Sequence, residues 1–357
     1  MSLRNRYYQA FGITLALGAW ACGSDTTGPS NGNFDAEATA AGLAVVDGAF
    51  ETAAFASLEA LGGQFQIPGA SSPAATELLR AAAHPNATDF STRMSEAASE
   101  LMASSAAPAV ILIPEEYRGL TLTYHAEEGY LVDEARDDGP TLGVRFVLYA
   151  VNPITHEITE PLTEIGYADI IDASTETEAA IGLVVVSGEV TYLDYLITLS
   201  GTFVNPTFTI AGFITDGENQ ADFTLTHAYA VNIAGITINI DYEIDVNDFG
   251  MEVALGMVGG GEQEPTVTVH ISLLDGANTV LITGSIQDGA GTLEVHALNV
   301  HFADITIAPG SVSVTNAEGE PLSNQEIQAI KELIEVIEGA QDIFEDLLEP
   351  VQFLFDN

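Results

Sequence analysis

From about Gly119 to Thr315 apolar residues recur at every second position. The clearest run is Thr237 to Asn247, where Ile238, Ile240, Tyr242, Ile244 and Val246 alternate with Thr237, Asn239, Asp241, Glu243, Asp245 and Asn247. Successive side chains of a strand point to opposite faces, so this alternation predicts strands with one apolar and one polar side. Val267, Val269, Ile271 and Leu273 repeat it, as do Leu142, Val144, Phe146 and Leu148. Asp138-Gly139, Asp216-Gly217, Asp275-Gly276 and Asp288-Gly289 punctuate the runs as turn signals. Roughly 12–14 strands follow, joined by short connections without helices between them. The expected fold class is mainly β (α+β overall): a large antiparallel β-meander curled into a barrel or half-barrel, with N-terminal helices and a C-terminal amphipathic helix packed on it.

The period changes on either side. Leu43, Val46, Phe50, Ala54, Leu58 and Leu61 recur at steps of three and four, one face of a helix that Gly62-Gly63 stops. A second helix is expected from Ser72-Pro73 to before Pro85, and a third over 89–102. At the other end, Ser323 to Glu326 form a capping box. Ile327, Ile330, Ile334, Ile337, Phe344 and Leu348 then make one stripe, with Glu332, Glu335, Glu338, Asp342 and Glu345 on the rest of the surface. This predicts a helix that covers part of the apolar side of the sheet.

The first residues belong to none of these elements. Arg4 and Arg6 precede an apolar stretch from Ala10 to Ala21 with no acidic residue. It is shorter than the about 17 residues a membrane-spanning helix needs, which predicts an export signal. Cys22, the only cysteine, follows, and then a polar tract rich in Gly, Ser, Thr and Asn. Small residues, a cysteine and a polar tether together resemble the lipobox of bacterial lipoproteins. Ala19 stands where leucine is usual, and Trp20 where a small residue is. The resemblance implies that Cys22 receives a lipid after cleavage of the signal; Gly23 after it implies the outer membrane as destination. Ala19-Trp20-Ala21 also reads as an ordinary signal cleavage site, which would leave a free N-terminal cysteine. The expected organisation is a signal peptide over 1–21, a lipidated cysteine and tether over 22–33, an alanine-rich helical segment over 34–108, a β domain over 109–322, and a helix over 323–349.

Charge narrows the classes of partner. Eight basic residues stand against 52 acidic ones, for a net charge of −44, and neither lysine nor arginine occurs between Arg145 and Lys331. Nucleic-acid binding is disfavoured, because no basic patch is available to neutralise phosphate. An anionic membrane surface would repel the chain, so a covalent lipid is the expected membrane contact. The acidic surface suits a solvated exterior, and Ca²⁺ bridging carboxylates is the one cofactor expectation. With 47% hydrophobic residues the chain has the material for a core.

Chemical motifs are sparse. There is no G-x-S-x-G elbow, P-loop or dinucleotide glycine pattern. His156-Glu157 lacks the second histidine of a zinc-protease helix and lies between Pro153 and Pro161, as a loop. Asp245 to Gly250 has the spacing of a calcium loop in part, but Phe249 replaces a ligand, so a hairpin turn is expected. No catalytic residue and no metal ligand is assigned. His227 shares parity with Phe223, Leu225, Tyr229, Val231 and Ile233, so it should point into the apolar side, whereas His270 and His296 fall on polar faces. His227 and Tyr229 are therefore the candidate ligand-binding residues.

The function expected from the sequence is that of an exported, membrane-anchored envelope lipoprotein, non-enzymatic, whose curved sheet binds a lipid or other hydrophobic ligand. A structural or adhesive surface protein, dependent on Ca²⁺, is the alternative, and an envelope hydrolase without a recognisable motif is another. Arg145, the last basic residue before the long basic-free stretch, is expected to pair with a carboxylate as a structural element.

Overall fold

The computed structural model describes residues 46, 48–62 and 112–323, except 156, 177, 203–204, 233–234, 261–262, 277 and 310, together with residues 327 and 330. The signal segment, Cys22 and its tether, the helices expected over 72–102, and His156 lie outside the described residues.

Helix α1 (Ala53–Gly62) and a short 3-10 turn (Glu115–Tyr117) precede fifteen strands. These are β1 (Leu120–His125), β2 (Gly129–Val132), β3 (Gly143–Tyr149), β4 (Glu164–Asp172), β5 (Ala179–Ser187), β6 (Val190–Thr202), β7 (Asn205–Thr215) and β8 (Gln220–Asn232). They continue as β9 (Gly235–Val246), β10 (Phe249–Gly260), β11 (Gln263–Asp275), β12 (Asn278–Gln287), β13 (Ala290–Ala297), β14 (Val300–Ala308) and β15 (Ser311–Asn316). The mainly β class is borne out. The strands follow chain order from β15 down to β3, then β1 and β2. Among the described residues nothing pairs β2 with β15, so the sheet is an open meander and not a closed barrel. Its edges are strands of six and four residues, short enough to offer little ladder for edge pairing.

One departure from a strict antiparallel meander lies at the start. β1 pairs antiparallel with β2 but parallel with β3, Leu122 lying opposite Phe146. The connection over 133–142 carries the chain past β1, and Gly139 lies so close to the backbone of Gly119 and Leu120 that a Cβ would clash with both carbonyls.

Among the described residues the chain divides into two compact units, with the break between Phe223 and Thr224. In the unit that ends at Phe223, Leu122, Phe146, Ala168, Val185, Leu193 and Ile214 are register partners across β1 and β3–β7, and all are buried. The parallel row places Tyr195 opposite Gly212. That glycine lets the two strands approach closely at the Tyr195 Cα and Cβ, and the Tyr195 ring is buried and meets Phe223 edge-on at 6.3 Å between centroids. Helix α1 packs on β3, β4 and β5. The single helical face expected from Leu43 to Leu61 is interrupted at Glu51–Thr52. Thr52 binds the Ala49 carbonyl through its hydroxyl (2.8 Å) and starts α1 anew, so that Phe55 joins Ala54, Leu58 and Leu61 in the core.

The unit that begins at Thr224 has a simpler core. Tyr242, Val253, Ile271, Ile282, Val295 and Ala303 are successive register partners across β9–β14, and all are buried. The positions between them form the other face, polar except at Ala254: Asp241, Ala254, His270, Thr283, Glu294, Asp304 and Thr315. Hairpin turns supply the chain reversals. Asp288 and Gly289 both take positive φ (50° and 77°), as a two-residue primed turn requires. Asn247-Asp248 joins β9 to β10 with Asn247 at φ 54°, so the segment 245–250 is a hairpin. Of the C-terminal helix expected over 323–349, residues 327 and 330 are described; both are helical, Ile330 is buried, and the Ile327 N–H donates to the Ser323 carbonyl (3.0 Å).

Candidate functional site

Three polar groupings stand out against the apolar sheet. The first surrounds His227, whose strand parity with Leu225 directs it to the apolar side of β8. It is 1% exposed, and its ring lies 6.3 Å from that of Tyr242 on β9, at 61°. Burial alone pushes the imidazole pKa down to about 3, because the charged form would lose its hydration. His227 is therefore a neutral ring at ordinary pH, a weak base suited to hydrogen bonding. Tyr229, two residues on, is half-buried. Sequence alternation placed His227 and Tyr229 on this side but not the pairing with Tyr242, which depends on how β8 and β9 lie beside each other. Cys22, the expected lipidation site, lies outside the described residues.

The second grouping is built on Arg145. Opposite it in register stands Asp169, and the guanidinium donates two bonds to that carboxylate, from Nε to Oδ1 and from Nη2 to Oδ2, both at 2.7 Å. Nη1 reaches Asp138 Oδ2 at 3.2 Å, and the ring of Tyr167 lies 3.7 Å beneath the guanidinium carbon. The forked pair with Asp169 raises the pKa of Arg145 further, and a hydroxyl bond from Thr121 to Asp138 (2.8 Å) helps hold that carboxyl below its ordinary value. Arg145 is paired with a carboxylate, as the sequence leads one to expect. Each of its three nitrogens donates to a carboxylate of the protein, which gives it a structural role.

The third is centred on Asp172. Asp172, buried at the end of β4, accepts the N–H groups of Leu112 (3.1 Å) and Ile113 (3.5 Å) and an Arg118 Nη2 donor (2.7 Å), all on Oδ2. Its other oxygen accepts the Ser174 N–H (3.1 Å). One carboxylate thus ties the segment before β1 to the sheet. No sequence signal marks it, because the three donors on Oδ2 lie 54–60 residues away.

Among the described residues, no group of three or more His, Cys, Asp and Glu side chains is arranged to hold a metal ion. No described helix is long and apolar enough to cross a membrane. Comparison with family models, with curated proteins and with solved structures finds no match for this chain.

Proposed function

We propose that this chain is an exported, non-enzymatic protein of the cell envelope, anchored through a lipid on Cys22, whose one-sided sheet holds a lipid or other hydrophobic ligand. The observation that carries the ligand reading is His227: a neutral imidazole set in an apolar sheet face beside Tyr242. Sites for hydrophobic molecules are walls of apolar side chains with a few fixed polar groups that orient the ligand. His227, with Tyr229 on the same side of the strand, would orient an ester or hydroxyl group while the Ile and Val rows receive the hydrocarbon. The test is native mass spectrometry with solvent extraction on full-length protein taken from its own membrane fraction. A co-purifying lipid-sized ligand, depleted in His227→Leu, is expected; protein free of any ligand would overturn the reading. The anchor is tested by detergent phase partitioning. Wild type should enter the detergent phase and Cys22→Ala should not.

One observation favours a second reading, a structural or adhesive surface protein stabilised by Ca²⁺. On the polar side of β9 and β10, Glu243 lies opposite Glu252, between Asp241 and Asp245. Burial, followed by the charge of Glu252, raises the Asp241 pKa above its ordinary value. Like charges directly opposite each other on a sheet are destabilising, and a divalent cation would relieve them. On this reading, calorimetry with Ca²⁺ shows a rise in melting temperature beyond that produced by NaCl of equal ionic strength. Equal rises would reject it.

A further inference from the structure

The polar side of the β13–β14 hairpin carries a pair of histidines that strand alternation alone would not bring together. Val295 pairs with Ala303, so regular antiparallel register would set His296 against Phe302 and turn His301 to the same side as Ala303 and Ile305. A β-bulge between Val295 and His296 shifts the register, and His296 faces His301 instead. Bulges of this kind re-aim a side chain. The two rings lie 5.3 Å apart between centroids and are tilted by only 31°. Both side chains are reachable from solvent, at 29% and 35% exposure.

Each ring is also oriented by a carboxylate. His296 Nε2 lies 3.4 Å from Glu294 Oε2, and His301 Nε2 lies 2.9 Å from Asp304 Oδ1. Glu294 and Asp304 are themselves register partners, one step along the same face. A neutral imidazole that faces a carboxylate carries its proton on the nearer nitrogen, which leaves the lone pair on Nδ1. This is the outer-shell arrangement that orients metal-bound histidines and raises their basicity. We infer that His296 and His301 form a two-nitrogen site for a borderline divalent transition ion, with Nδ1 of each ring as ligand, Glu294 and Asp304 as outer-shell acceptors, and water completing the coordination. Cβ atoms of directly opposed residues stand about 4.5–5.5 Å apart, a span that two metal–nitrogen bonds of about 2.0–2.1 Å can bridge when the two rings turn toward a common point. Imidazole selects Cu²⁺, Zn²⁺ and Ni²⁺ over the oxygen-seeking Ca²⁺ and Mg²⁺, and Cu²⁺ should bind most tightly. The site is independent of the hydrophobic-ligand reading, since it occupies the opposite face.

The experiment uses the untagged full chain in excess Mg²⁺, which occupies the many carboxylates without competing for imidazole. Cu²⁺ is added to one equivalent and followed by electron paramagnetic resonance, and Zn²⁺ by calorimetry. The expected copper spectrum carries splitting from two imidazole nitrogens. It should be lost in His296→Ala and in His301→Ala, with Zn²⁺ affinity down at least tenfold (about 1.4 kcal/mol or more). Glu294→Gln and Asp304→Asn should weaken binding by about 10–100-fold, and His270→Ala, an exposed histidine on the same face, should leave it unchanged. A wild-type spectrum with fewer than two nitrogen ligands overturns the inference whatever the variants do. So does a two-nitrogen spectrum that persists in both histidine variants.

Discussion

Arg145 and His227 show how differently a charge and a titratable ring are accommodated in the same kind of sheet. Arg145 keeps its charge because Asp169, Asp138 and the Tyr167 ring surround it. Removing it leaves the buried Asp169 carboxylate without its forked partner, and such losses exceed the value of the pair itself. Arg145→Ala should therefore destabilise the protein by about 2–3 kcal/mol in urea denaturation; an unchanged midpoint would refute the structural role. His227 is kept neutral instead. The unfolded chain binds a proton at this ring below about pH 6.5, whereas the folded chain does so only near pH 3. Protons therefore favour the unfolded state inside that window, and stability falls as the pH drops through it. The slope is about 1.4 kcal/mol per pH unit from this one residue. His227→Leu should lose that contribution, so a plot of the stability difference between variant and wild type from pH 7 to pH 3.5 should rise toward acid. Parallel curves would mean that the ring is not desolvated.

Among elements, α1 is bound to the sheet by more than apolar contact. A bulge between Leu148 and Tyr149 interrupts the β3–β4 ladder. The Tyr149 N–H beside it donates to the buried Ser57 hydroxyl on α1, at 3.0 Å. A buried backbone donor without an acceptor costs about 1–3 kcal/mol, so Ser57→Ala should lower stability by that amount although it removes a single oxygen. Ser57→Thr, which keeps the hydroxyl but adds a methyl group to a packed site, should retain the bond at the price of some crowding. If the alanine variant melts like wild type, water or a shifted backbone satisfies the donor. Gly212 illustrates the same dependence on close approach, since a Cβ there would come within 2.5 Å of the Tyr195 Cα and Cβ. Strand alternation predicts none of this, because bulges and glycine gaps are set by the neighbouring strand.

For the molecule as a whole, charge is the dominant unbalanced quantity. A net charge of −44 with no basic residue from 146 to 330 means that most carboxylates in that region meet water or one another. Self-repulsion of this kind is screened by salt, so the melting temperature should climb between low salt and about 0.5 M NaCl, where the screening length is a few ångströms. A flat profile would show that the acidic face is spaced widely enough to be harmless. The same composition makes trypsin a simple check on chain integrity. The 186 residues from Phe146 to Lys331 contain no internal cleavage site and should persist as one fragment even in denaturant.

By itself the sequence determined the mainly β class, the strand region from about 119 to 315, the hairpin at Asp288-Gly289 and the burial of His227. These follow from local rules: a strand alternates its faces, and a primed turn needs residues that tolerate positive φ. It also predicted that Arg145 would find a carboxylate, because so few bases stand among so many acids. Only the tertiary structure decided that β1 and β3 run parallel, that the sheet stays open, and that the helical stripe breaks at Thr52. It alone brought Asp172 to Arg118 and His296 to His301. Each of these depends on pairing between residues distant in the chain or on a single-residue slip in register. A one-residue slip leaves composition unchanged and turns a side chain from one face to the other. His301 lies on the polar side for that reason, against the parity of its own strand.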